Sequence, residues 1–232
     1  MFPDFSKRSD RLERLDTGDY TPKEYAKWQS EMKLINRFLG DGRALRLSLS
    51  DELQNCGEKV SIIDVGAGSG ELLKTAKETI TEKRTFLVGA ELNAAAARSI
   101  KTRTNEFGVY AVQCTAFQLP FADNSFDFAV SSLFLHHLNN GQACTLISEM
   151  SRVARRKFII IDLHRHSIAY HLYKTLGPIF LQRFTVEDGS LSILRSFRPD
   201  ELRQLATTVG ITDAVVKRRS AFRLVLSGSK LK

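Results

Sequence analysis

Cysteines and long hydrophobic runs are scarce in this sequence, and the lack of each excludes a class of protein. The three cysteines, Cys56, Cys114 and Cys144, are an odd number without a CxxC pair, which indicates neither a disulfide framework nor a zinc cluster. The longest apolar runs, such as FIII at 158–161, fall far short of the roughly 18 residues that a membrane span needs. The opening residues contain no apolar core of signal-peptide length, so we expect a soluble, cytoplasmic protein without a transmembrane segment.

Positive charge is in excess, but it is not concentrated in one place. The net charge is +8 at pH 7, which suits nucleic acid, an anionic membrane surface or an acidic substrate. The basic residues lie in short scattered groups, such as 152–157 and 217–219, rather than in one tail or a tract interleaved with aromatic residues. We therefore expect no specific nucleic-acid partner, while a solvated surface and weak association with an anionic surface both stay open.

Apolar runs alternate with amphipathic stretches along most of the chain. Two helices are predicted first: one opens with a capping box at Thr21 and ends at Gly40, and a shorter one carries leucines at helical spacing. Strand signals follow at 60–65, 85–92, 109–114, 126–132 and 158–163. Because helices are predicted between these strands, we expect an α/β fold with a parallel sheet covered on both faces. Ligands then bind beyond the carboxyl ends of the strands.

The last third of the sequence breaks this alternation. Residues 164–197 are rich in His, Arg, Leu and Phe, and Pro199 then starts another helix. Two strand-like runs follow at 211–218 and 220–228, and so short a link between them requires an antiparallel pair. No repeat, low-complexity run or Pro/Gly-rich linker divides the chain, so we predict a single domain over 1–232.

The stretch IIDVGAGSG ends the first predicted strand with an acid and three glycines. Gly66, Gly68 and Gly70 form GxGxG, whereas a dinucleotide fold requires GxGxxG with the pyrophosphate on the next helix. Asp64 disfavours phosphate further, because a carboxylate repels a pyrophosphate but forms a charge-assisted hydrogen bond with a ligand ammonium. Glu91 ends the second predicted strand, where an acid can accept hydrogen bonds from both ribose hydroxyls of any nucleoside.

Three ordered motifs resemble those of class I S-adenosylmethionine-dependent methyltransferases, particularly the ubiquinone/menaquinone-type and related small-molecule enzymes. They are DVGAGSG, GAELNAAA and TAFQLPFADNSFDFAVSSLFLHHL, and the resemblance extends over about 60–163. It implies a Rossmann-like sheet of seven strands, mostly parallel with a C-terminal antiparallel hairpin. It also implies a cofactor-binding core at 59–163, an N-terminal helical cap at 1–58, an acceptor-side insert at 164–197 as a lid, and a C-terminal helix and hairpin at 198–232.

The resemblance implies S-adenosylmethionine as cofactor, S-adenosylhomocysteine as product, and a role for single positions. The glycine backbone would contact the methionine portion, with Asp64 near its ammonium, while Glu91 would hold the ribose hydroxyls and Leu92 would lie against the adenine. Many relatives have an Asp for the adenine amino group where this chain has Thr115, whose hydroxyl can accept a hydrogen bond without charge. The full set of expected contacts is Asp64, Gly66, Ala67, Gly68, Gly70, Glu91, Leu92, Thr115, Ala116, Phe117 and Ser131.

All five histidines fall in segments that should flank the acceptor. His136 and His137 follow the fourth predicted strand and His164 follows the fifth, so they reach the ligand side of the sheet. We expect His137 or His164, with His136 as a further candidate, to serve as a base toward the acceptor, and Asp162 can orient one of them. A packing role is the alternative for each, because LHHL also resembles a recurring structural sequence of the family.

A metal ion is not expected. His164 and His166 beside Asp162 have ligand-like chemistry, but residues i and i+2 share a side only if the strand continues, and the strand is predicted to end there. A histidine base would then serve an acceptor such as a phenol, whereas an already ionised acceptor needs no base.

These features predict methyl transfer to a small apolar or aromatic acceptor, in which the protein mainly aligns the reactants and excludes water. The insert and tail resemble bacterial methyltransferases associated with polyketide-type or lipid-like phenolic acceptors, which favours O-methylation, and a quinone-like acceptor also fits. C-methylation of a quinone precursor, nucleic-acid methylation, an NAD(P)-dependent oxidoreductase and a noncatalytic cofactor-binding module are the alternatives. The glycine spacing and Asp64 disfavour the oxidoreductase, and SSLF lacks the Pro-Pro-aromatic stretch of a base-flipping amino-methylase.

Overall fold

Seven strands form one sheet in the computed structural model, which describes residues 3–103 and 108–229. The strands are Lys59–Val65 (β1), Arg84–Glu91 (β2), Val109–Gln113 (β3), Phe126–Ser132 (β4), Ala154–Leu163 (β5), Val215–Arg219 (β6) and Arg223–Gly228 (β7). The α-helices are Arg14–Thr17 (α1), Pro22–Leu39 (α2), Asp41–Leu53 (α3), Glu71–Thr79 (α4), Ala94–Arg103 (α5), Asn140–Val153 (α6), Ser167–Phe180 (α7), Arg183–Arg195 (α8) and Pro199–Thr208 (α9).

The strand order is β3-β2-β1-β4-β5-β7-β6. β1 to β5 pair in parallel, whereas β7 lies between β5 and β6 and is antiparallel to both. The turn before β7 places Ala221 and Phe222 at positive φ, 53° and 54°, which lets two strands reverse over so few residues. The mostly parallel seven-stranded sheet and its antiparallel hairpin are therefore confirmed.

Short-range hydrogen bonds set the ends of the first long helix. The Thr21 hydroxyl accepts from the Glu24 N–H at 3.2 Å, and the Glu24 carboxylate accepts from the Thr21 N–H at 2.8 Å. This reciprocal capping box starts α2 where the sequence predicts. Gly40 ends the helix with φ of 95°, a left-handed conformation that glycine adopts without strain.

The junction between α6 and β5 differs from the sequence-based expectation. The periodicity predicts a helix as far as Arg155, but α6 ends at Val153 and β5 begins at the next residue. Pairing with β4 explains the difference, since Arg155 donates to Asp127 of β4 at 2.9 Å. Asp127 also accepts from the Ser61 N–H and hydroxyl of β1, both at 2.9 Å, so this one carboxylate joins three strands.

Helices cover both faces of the sheet, as predicted. Buried residues of α6 and α9 pack on one face, and those of α3, α4 and α5 pack on the other. Within the described ranges, no helix is both long enough and apolar enough to cross a membrane.

The N-terminal segment and the insert meet at the carboxyl ends of the strands. The Ser9 N–H donates to the Leu194 carbonyl at 3.0 Å, and Arg8 Nε donates to the Arg195 carbonyl at 2.6 Å. Arg8 also donates to the carbonyls of His136 and Leu138, at 3.2 and 2.8 Å. The segment before α1 is therefore fixed to α8 and to the turn that follows β4.

Candidate active site

The glycine loop after β1 turns tightly next to the end of β2. Gly66 and Ala67 donate backbone hydrogen bonds to the Ala90 carbonyl, at 2.9 and 3.1 Å. Gly66 has φ of 74°, and a Cβ at that position would lie 2.9 Å from the Phe134 ring. Only glycine fits there, because any side chain would be strained by its backbone and blocked by Phe134.

At Gly68, by contrast, an added side chain would meet open space. Its φ is 52°, and no atom would lie within 4 Å of an added Cβ. Its N–H donates to Glu91 Oε2 at 2.9 Å, while Glu91 Oε1 accepts from the Asn93 N–H at 2.9 Å. Gly70, with φ of 80°, then caps α4. The loop thus exposes bare backbone on one side and is held by Glu91 on the other, and each Glu91 oxygen retains a lone pair for a ligand hydroxyl.

Asp64 lacks a hydrogen-bond partner for one carboxyl oxygen. Its side chain lies two residues before the first loop glycine, is only 2% exposed, and leaves Oδ1 without a donor among the described residues. Burial, together with the nearby charge of Glu91, raises the pKa of Asp64 to about 8. A buried carboxyl in this condition needs a cationic donor to be stable in its ionised form.

The segment after β3 lies beside Glu91. The Cys114 N–H donates to the Glu91 carbonyl at 3.1 Å, which brings the next residues to the end of β2. The Thr115 hydroxyl accepts from the Phe117 N–H at 3.3 Å, and Ala116 and Phe117 are partly buried against the core. Thr115 is therefore in place near Glu91, with the remaining lone pair of its hydroxyl available.

Leu92 and Ser131 lie in opposite environments. Leu92 is 68% exposed, one of several large apolar side chains that the structure leaves at the surface. Ser131 is fully buried in β4, and its hydroxyl donates to the Val65 carbonyl at 2.7 Å. The Ser131 hydroxyl therefore bonds the residue that directly precedes Gly66 and holds β4 against β1, and its contact with the cofactor stays a prediction.

Asp162 holds His136 in one orientation. At the end of β5, Asp162 Oδ2 accepts from the His136 backbone N–H at 2.9 Å, and Oδ1 lies 2.6 Å from His136 Nδ1. Both side chains are buried. Burial opposes ionisation of Asp162, but His136 and these hydrogen bonds hold its pKa below the usual value. The carboxylate fixes a proton on Nδ1 and leaves Nε2 as the nitrogen available for other contacts.

His137 has a matching carboxylate from the N-terminal segment. Its Nδ1 lies 2.9 Å from Asp16 Oδ1, and the histidine side chain is 22% exposed. Arg195 donates to Asp16 Oδ2 at 2.5 Å and to the His137 carbonyl at 2.9 Å. Burial works against ionisation of Asp16, but His137 and Arg195 hold its pKa well below the usual value.

Glu13 approaches the same two histidines from the start of α1. Its side chain is 3% exposed, and Oε1 lies 3.9 Å from both His136 Nε2 and Arg195 Nε. That oxygen has no hydrogen-bond partner among the residues that the structure describes. Burial raises the pKa of Glu13 to about 7. It is a second buried carboxyl with an unmet need for a donor.

His164 lies apart from His136 and His137. It lines a polar cavity of about 260 Å³ together with Phe5, Arg198 and Arg218. Burial and the neighbouring cations lower the pKa of His164 to about 4. His166, two residues on, accepts from the Ile168 N–H at 3.2 Å and caps α7. The grouping of two histidines with Asp162 considered from the sequence is therefore not formed, because Asp162 contacts His136.

Comparison with known proteins points to one enzyme class. The methyltransferase-domain family matches residues 63–161, from the middle of β1 to near the end of β5. The chain is 24% identical over 186 residues to the ubiquinone/menaquinone biosynthesis C-methyltransferase UbiE of Stenotrophomonas maltophilia (strain K279a), which covers 70% of this chain and 73% of that protein.

Solved structures share the fold. An S-adenosylmethionine-dependent methyltransferase from Aquifex aeolicus is 18% identical with a TM-score of 0.57, over 83% of this chain and 95% of that one. The plantazolicin methyltransferase BpumL, solved with a monoazolic desmethylPZN analog and S-adenosylhomocysteine, is 13% identical with a TM-score of 0.69, over 94% and 93%. The matched domain and these relatives support a class I S-adenosylmethionine-dependent methyltransferase.

The glycine loop of this methyltransferase fits its cofactor. Asp64 has one carboxyl oxygen that no donor of residues 3–103 and 108–229 reaches, as an ammonium would require. Gly68 offers open backbone, and Leu92 offers an exposed apolar surface. Glu91 accepts from the Gly68 N–H and directly precedes Leu92 in the chain.

Several residues of the methyltransferase's histidine cluster escaped the sequence analysis. Glu13, Asp16 and Arg195 belong to no motif, and they reach His136 and His137 only through tertiary packing. Phe134 stands in the motif after β4, but its contact with Gly66 has no signature in the sequence. No periodicity or spacing in the chain distinguishes these residues from ordinary surface or core positions.

Proposed function

We propose that this methyltransferase transfers a methyl group to an oxygen atom of a small apolar or aromatic acceptor, of phenolic, polyketide-like or quinone-like type. The carboxylate-held histidines after β4 are the observation that carries this proposal. His136 is fixed by Asp162 and His137 by Asp16, and Phe134, in the same turn, touches the glycine loop. A group that promotes loss of a hydroxyl proton therefore stands next to the cofactor side.

Oxygen acceptors are the substrates that need such a group. A phenol has a pKa near 10, so little of it is ionised at neutral pH, and removing its proton makes the oxygen a better nucleophile. We propose His136 and His137, rather than His164, for this role, because His164 lines a cavity with Arg198 and Arg218. His136 has the stronger support, since its ring is buried and held at two points by Asp162.

The cofactor side follows from the same geometry. S-adenosylmethionine supplies an electrophilic methyl group on a sulfonium. Asp64 would hold its ammonium, the backbone of Gly66 and Gly68 would lie along its methionine portion, and Glu91 would accept from its ribose hydroxyls. Leu92 and Thr115 would contact the adenine. The two sides are continuous through Phe134, whose ring packs on Gly66.

The N-terminal segment and the insert would form the acceptor side. Tyr20 stacks on Tyr25 at 5.2 Å between ring centroids and on Phe184 of α8 at 5.6 Å, and Tyr25 stacks on Trp28 at 5.6 Å. Such a row of rings suits an apolar or aromatic acceptor. It joins α2 to α8, which supports the role of residues 1–58 and 164–197 as a cap over the cofactor core.

C-methylation of a quinone precursor is the second candidate. The UbiE relative carries that activity in its name, and a ring carbon next to an ionised phenol oxygen is also a nucleophile. The histidine cluster would serve either reaction, so the product decides between them.

The test is to identify the methylated atom. The purified chain is incubated with ¹³C-methyl S-adenosylmethionine and a set of phenols, each paired with the same compound already O-methylated. We expect label only from the free phenols, at the chemical shift of a methoxy carbon. Label on a ring carbon would replace O-methylation by the second candidate. S-adenosylhomocysteine binding without any labelled product, from a set that includes quinols and hydroxy acids, would contradict both.

A further inference from the structure

We propose that Glu13, His136 and His137 form a binding site for a divalent transition-metal ion. Each offers one ligand atom, a carboxylate oxygen or an imidazole nitrogen, and the three atoms lie within 4.8 Å of one another. The role of the ion in activating an acceptor rests on the proposed function, but its binding does not. Two nitrogens and one carboxylate oxygen make a ligand set that suits Zn²⁺ or Fe²⁺ better than Mg²⁺ or Ca²⁺.

Both histidines are oriented in the way metal-binding histidines usually are. In metal sites, the ring nitrogen that does not bind the ion commonly donates to a carboxylate, which fixes the tautomer and makes the other nitrogen a better ligand. Asp162 provides this carboxylate for His136 at 2.6 Å, and Asp16 provides it for His137 at 2.9 Å. Each ring therefore already has the carboxylate partner that a metal-binding histidine uses.

Glu13 supplies the independent observation. Its side chain is 3% exposed, and Oε1 faces the cluster with no hydrogen-bond partner among the described residues. Oε1 lies 3.9 Å from His136 Nε2, whereas two ligand atoms on one tetrahedral zinc are separated by about 3.3 Å. A small rotation of the Glu13 side chain closes that difference.

The charges of the cluster also match a dication. Glu13, Asp16 and Asp162 carry three negative charges when ionised, and the guanidinium that contacts these carboxylates is Arg195, at 2.5 Å from Asp16 and 3.9 Å from Glu13. Arg8, the next guanidinium, donates to main-chain carbonyls of the turn instead. Three negative charges and one positive charge leave two negative charges in a site that is nearly closed to water, which is an expensive arrangement without a cation.

The site has one open side. Glu13 and His136 are buried, but the His137 side chain is 22% exposed, so an ion and an acceptor oxygen can reach the cluster from there. With the acceptor hydroxyl on the ion, the ion would promote loss of the hydroxyl proton to water, and His136 and His137 would assist that loss as ligands of the ion. The oxygen lone pair then forms the bond to the methyl carbon as the carbon–sulfur bond breaks, leaving the neutral thioether.

The experiment is a titration that needs no acceptor and no turnover. The full chain is treated with a chelator, passed through a desalting column, and titrated with Co²⁺ while the visible spectrum is recorded, then with Zn²⁺ in competition. We expect one equivalent of Co²⁺ to bind with an absorption band typical of low-coordinate cobalt, and Zn²⁺ to remove it. Absence of saturable binding by the unmodified chain would overturn the proposal.

Variants show whether the ion binds at this cluster or elsewhere on the chain. His136→Ala and Glu13→Gln should abolish or strongly weaken Co²⁺ binding, and Asp162→Asn, which removes only the partner of the ring, should weaken it about 10- to 100-fold. His171→Ala, at an exposed histidine of α7, is the matched control and should bind Co²⁺ like the unmodified chain. Equal binding by Glu13→Gln, His136→Ala and the control would place the ion elsewhere and overturn the proposal.

S-adenosylhomocysteine binding by each variant, followed by thermal shift, shows that the variant is folded. If the variants at the buried positions do not fold, the titration of the unmodified chain with His171→Ala beside it still decides whether the chain takes up one ion. Failure of the metal proposal would leave S-adenosylhomocysteine binding and methyl transfer intact, whereas failure of the proposed function would appear as missing methylation with Co²⁺ still bound.

Discussion

The cofactor side and the acceptor side of the methyltransferase are built in different ways. On the cofactor side, the glycine loop, Glu91 and Thr115 come from consecutive strand ends, and neighbouring backbone groups hold them. On the acceptor side, Asp16 reaches His137 across 121 residues and Arg195 across 179 residues. A short stretch of sequence is enough to recognise the first side, whereas the second exists only when distant segments have packed together.

The two sides nevertheless share one electrostatic feature. Each contains a carboxyl that is almost fully buried and has one oxygen that no donor in the described part of the chain reaches, Asp64 on one side and Glu13 on the other. Burial raises the pKa of Asp64 to about 8 and that of Glu13 to about 7. In the proposed roles, the partner is an ammonium for Asp64 and a metal ion for Glu13.

Replacing His136 should show most clearly that methyl transfer and cofactor binding depend on different residues. His136→Ala should lower the rate of methyl transfer by about 10²- to 10⁴-fold, the usual contribution of a group that assists proton transfer, without changing S-adenosylhomocysteine affinity. Rates from single-turnover assays and affinities from calorimetry measure the two effects. His164→Ala is the matched comparison and should retain the rate, because His164 lines another cavity. A parallel loss of affinity in His136→Ala would show that the two sides are not separable.

Removing the charge of Asp64 should affect binding alone. Asp64→Asn should weaken S-adenosylhomocysteine binding by about 10- to 100-fold, since a hydrogen bond to a charged group contributes about 1.5–3 kcal/mol. Calorimetric titration measures the dissociation constant for S-adenosylhomocysteine. Asp213→Asn, at an exposed acid far along the chain, should bind like the unmodified protein, and equal affinities in the two variants would contradict the role of Asp64.

The pKa of Asp64 also sets a pH dependence. Without ligand the carboxyl keeps its proton below about pH 8, whereas an ammonium partner requires the carboxylate, so binding must release a proton. Affinity for S-adenosylhomocysteine should therefore rise with pH from 6 to about 8, by up to about tenfold per unit, and level off above that. Asp64→Asn should remove this slope, and an equal slope in both proteins would assign it to another group.

Substitutions at Gly66 and Phe134 test whether the glycine loop and the turn after β4 are in contact. Gly66→Ala should lower stability by about 1–2 kcal/mol from its positive φ alone, with a further loss from the clash with Phe134. Thermal unfolding should show a drop of several degrees, and Phe134→Ala in the same chain should recover only the clash. Gly57→Ala, where an added Cβ meets nothing within 4 Å, is the control. Full recovery by Phe134→Ala would mean that the backbone conformation costs nothing.

The smallest effect is expected at Leu92. Leu92→Ala should weaken S-adenosylhomocysteine binding by about three- to tenfold, since part of an exposed apolar side chain would no longer be covered by adenine. The stability of the free protein should stay the same, because Leu92 is already 68% exposed. An unchanged affinity would place the adenine elsewhere.

Local signals in the sequence predicted most of the fold. The capping box at Thr21, the alternation of strands and helices, and the short link of the hairpin depend on interactions within a few residues, and the structure confirms each of them. The predicted end of α6 was wrong by two residues, because Arg155 belongs to β5, where it donates to Asp127 of β4. That partner is not visible from the periodicity of a helix.

The acceptor side was harder to predict because its decisive contacts are long-range. The histidines were recognised as a group, but the sequence could not show that Asp162 contacts His136 while His164 is directed into a separate cavity. Ser131 was expected beside the cofactor, and the sequence could not show that its hydroxyl donates to the Val65 carbonyl at the start of the glycine loop. Glu13, which completes the cluster, has no local signal at all.

The attachment of the N-terminal segment has a consequence for synthesis on the ribosome. Phe5 accepts from Arg165 across 160 residues, and Arg8 donates to Arg195 across 187 residues. At roughly 5–20 residues per second, residues 3–16 wait roughly ten to forty seconds before their partners have been made. The first segment to leave the ribosome is therefore among the last to dock, and Glu13 meets Arg195 only after most of the chain has been made. A nascent chain can hold its glycine loop well before that moment, so we expect the ability to bind cofactor to arise earlier in synthesis than the ability to methylate.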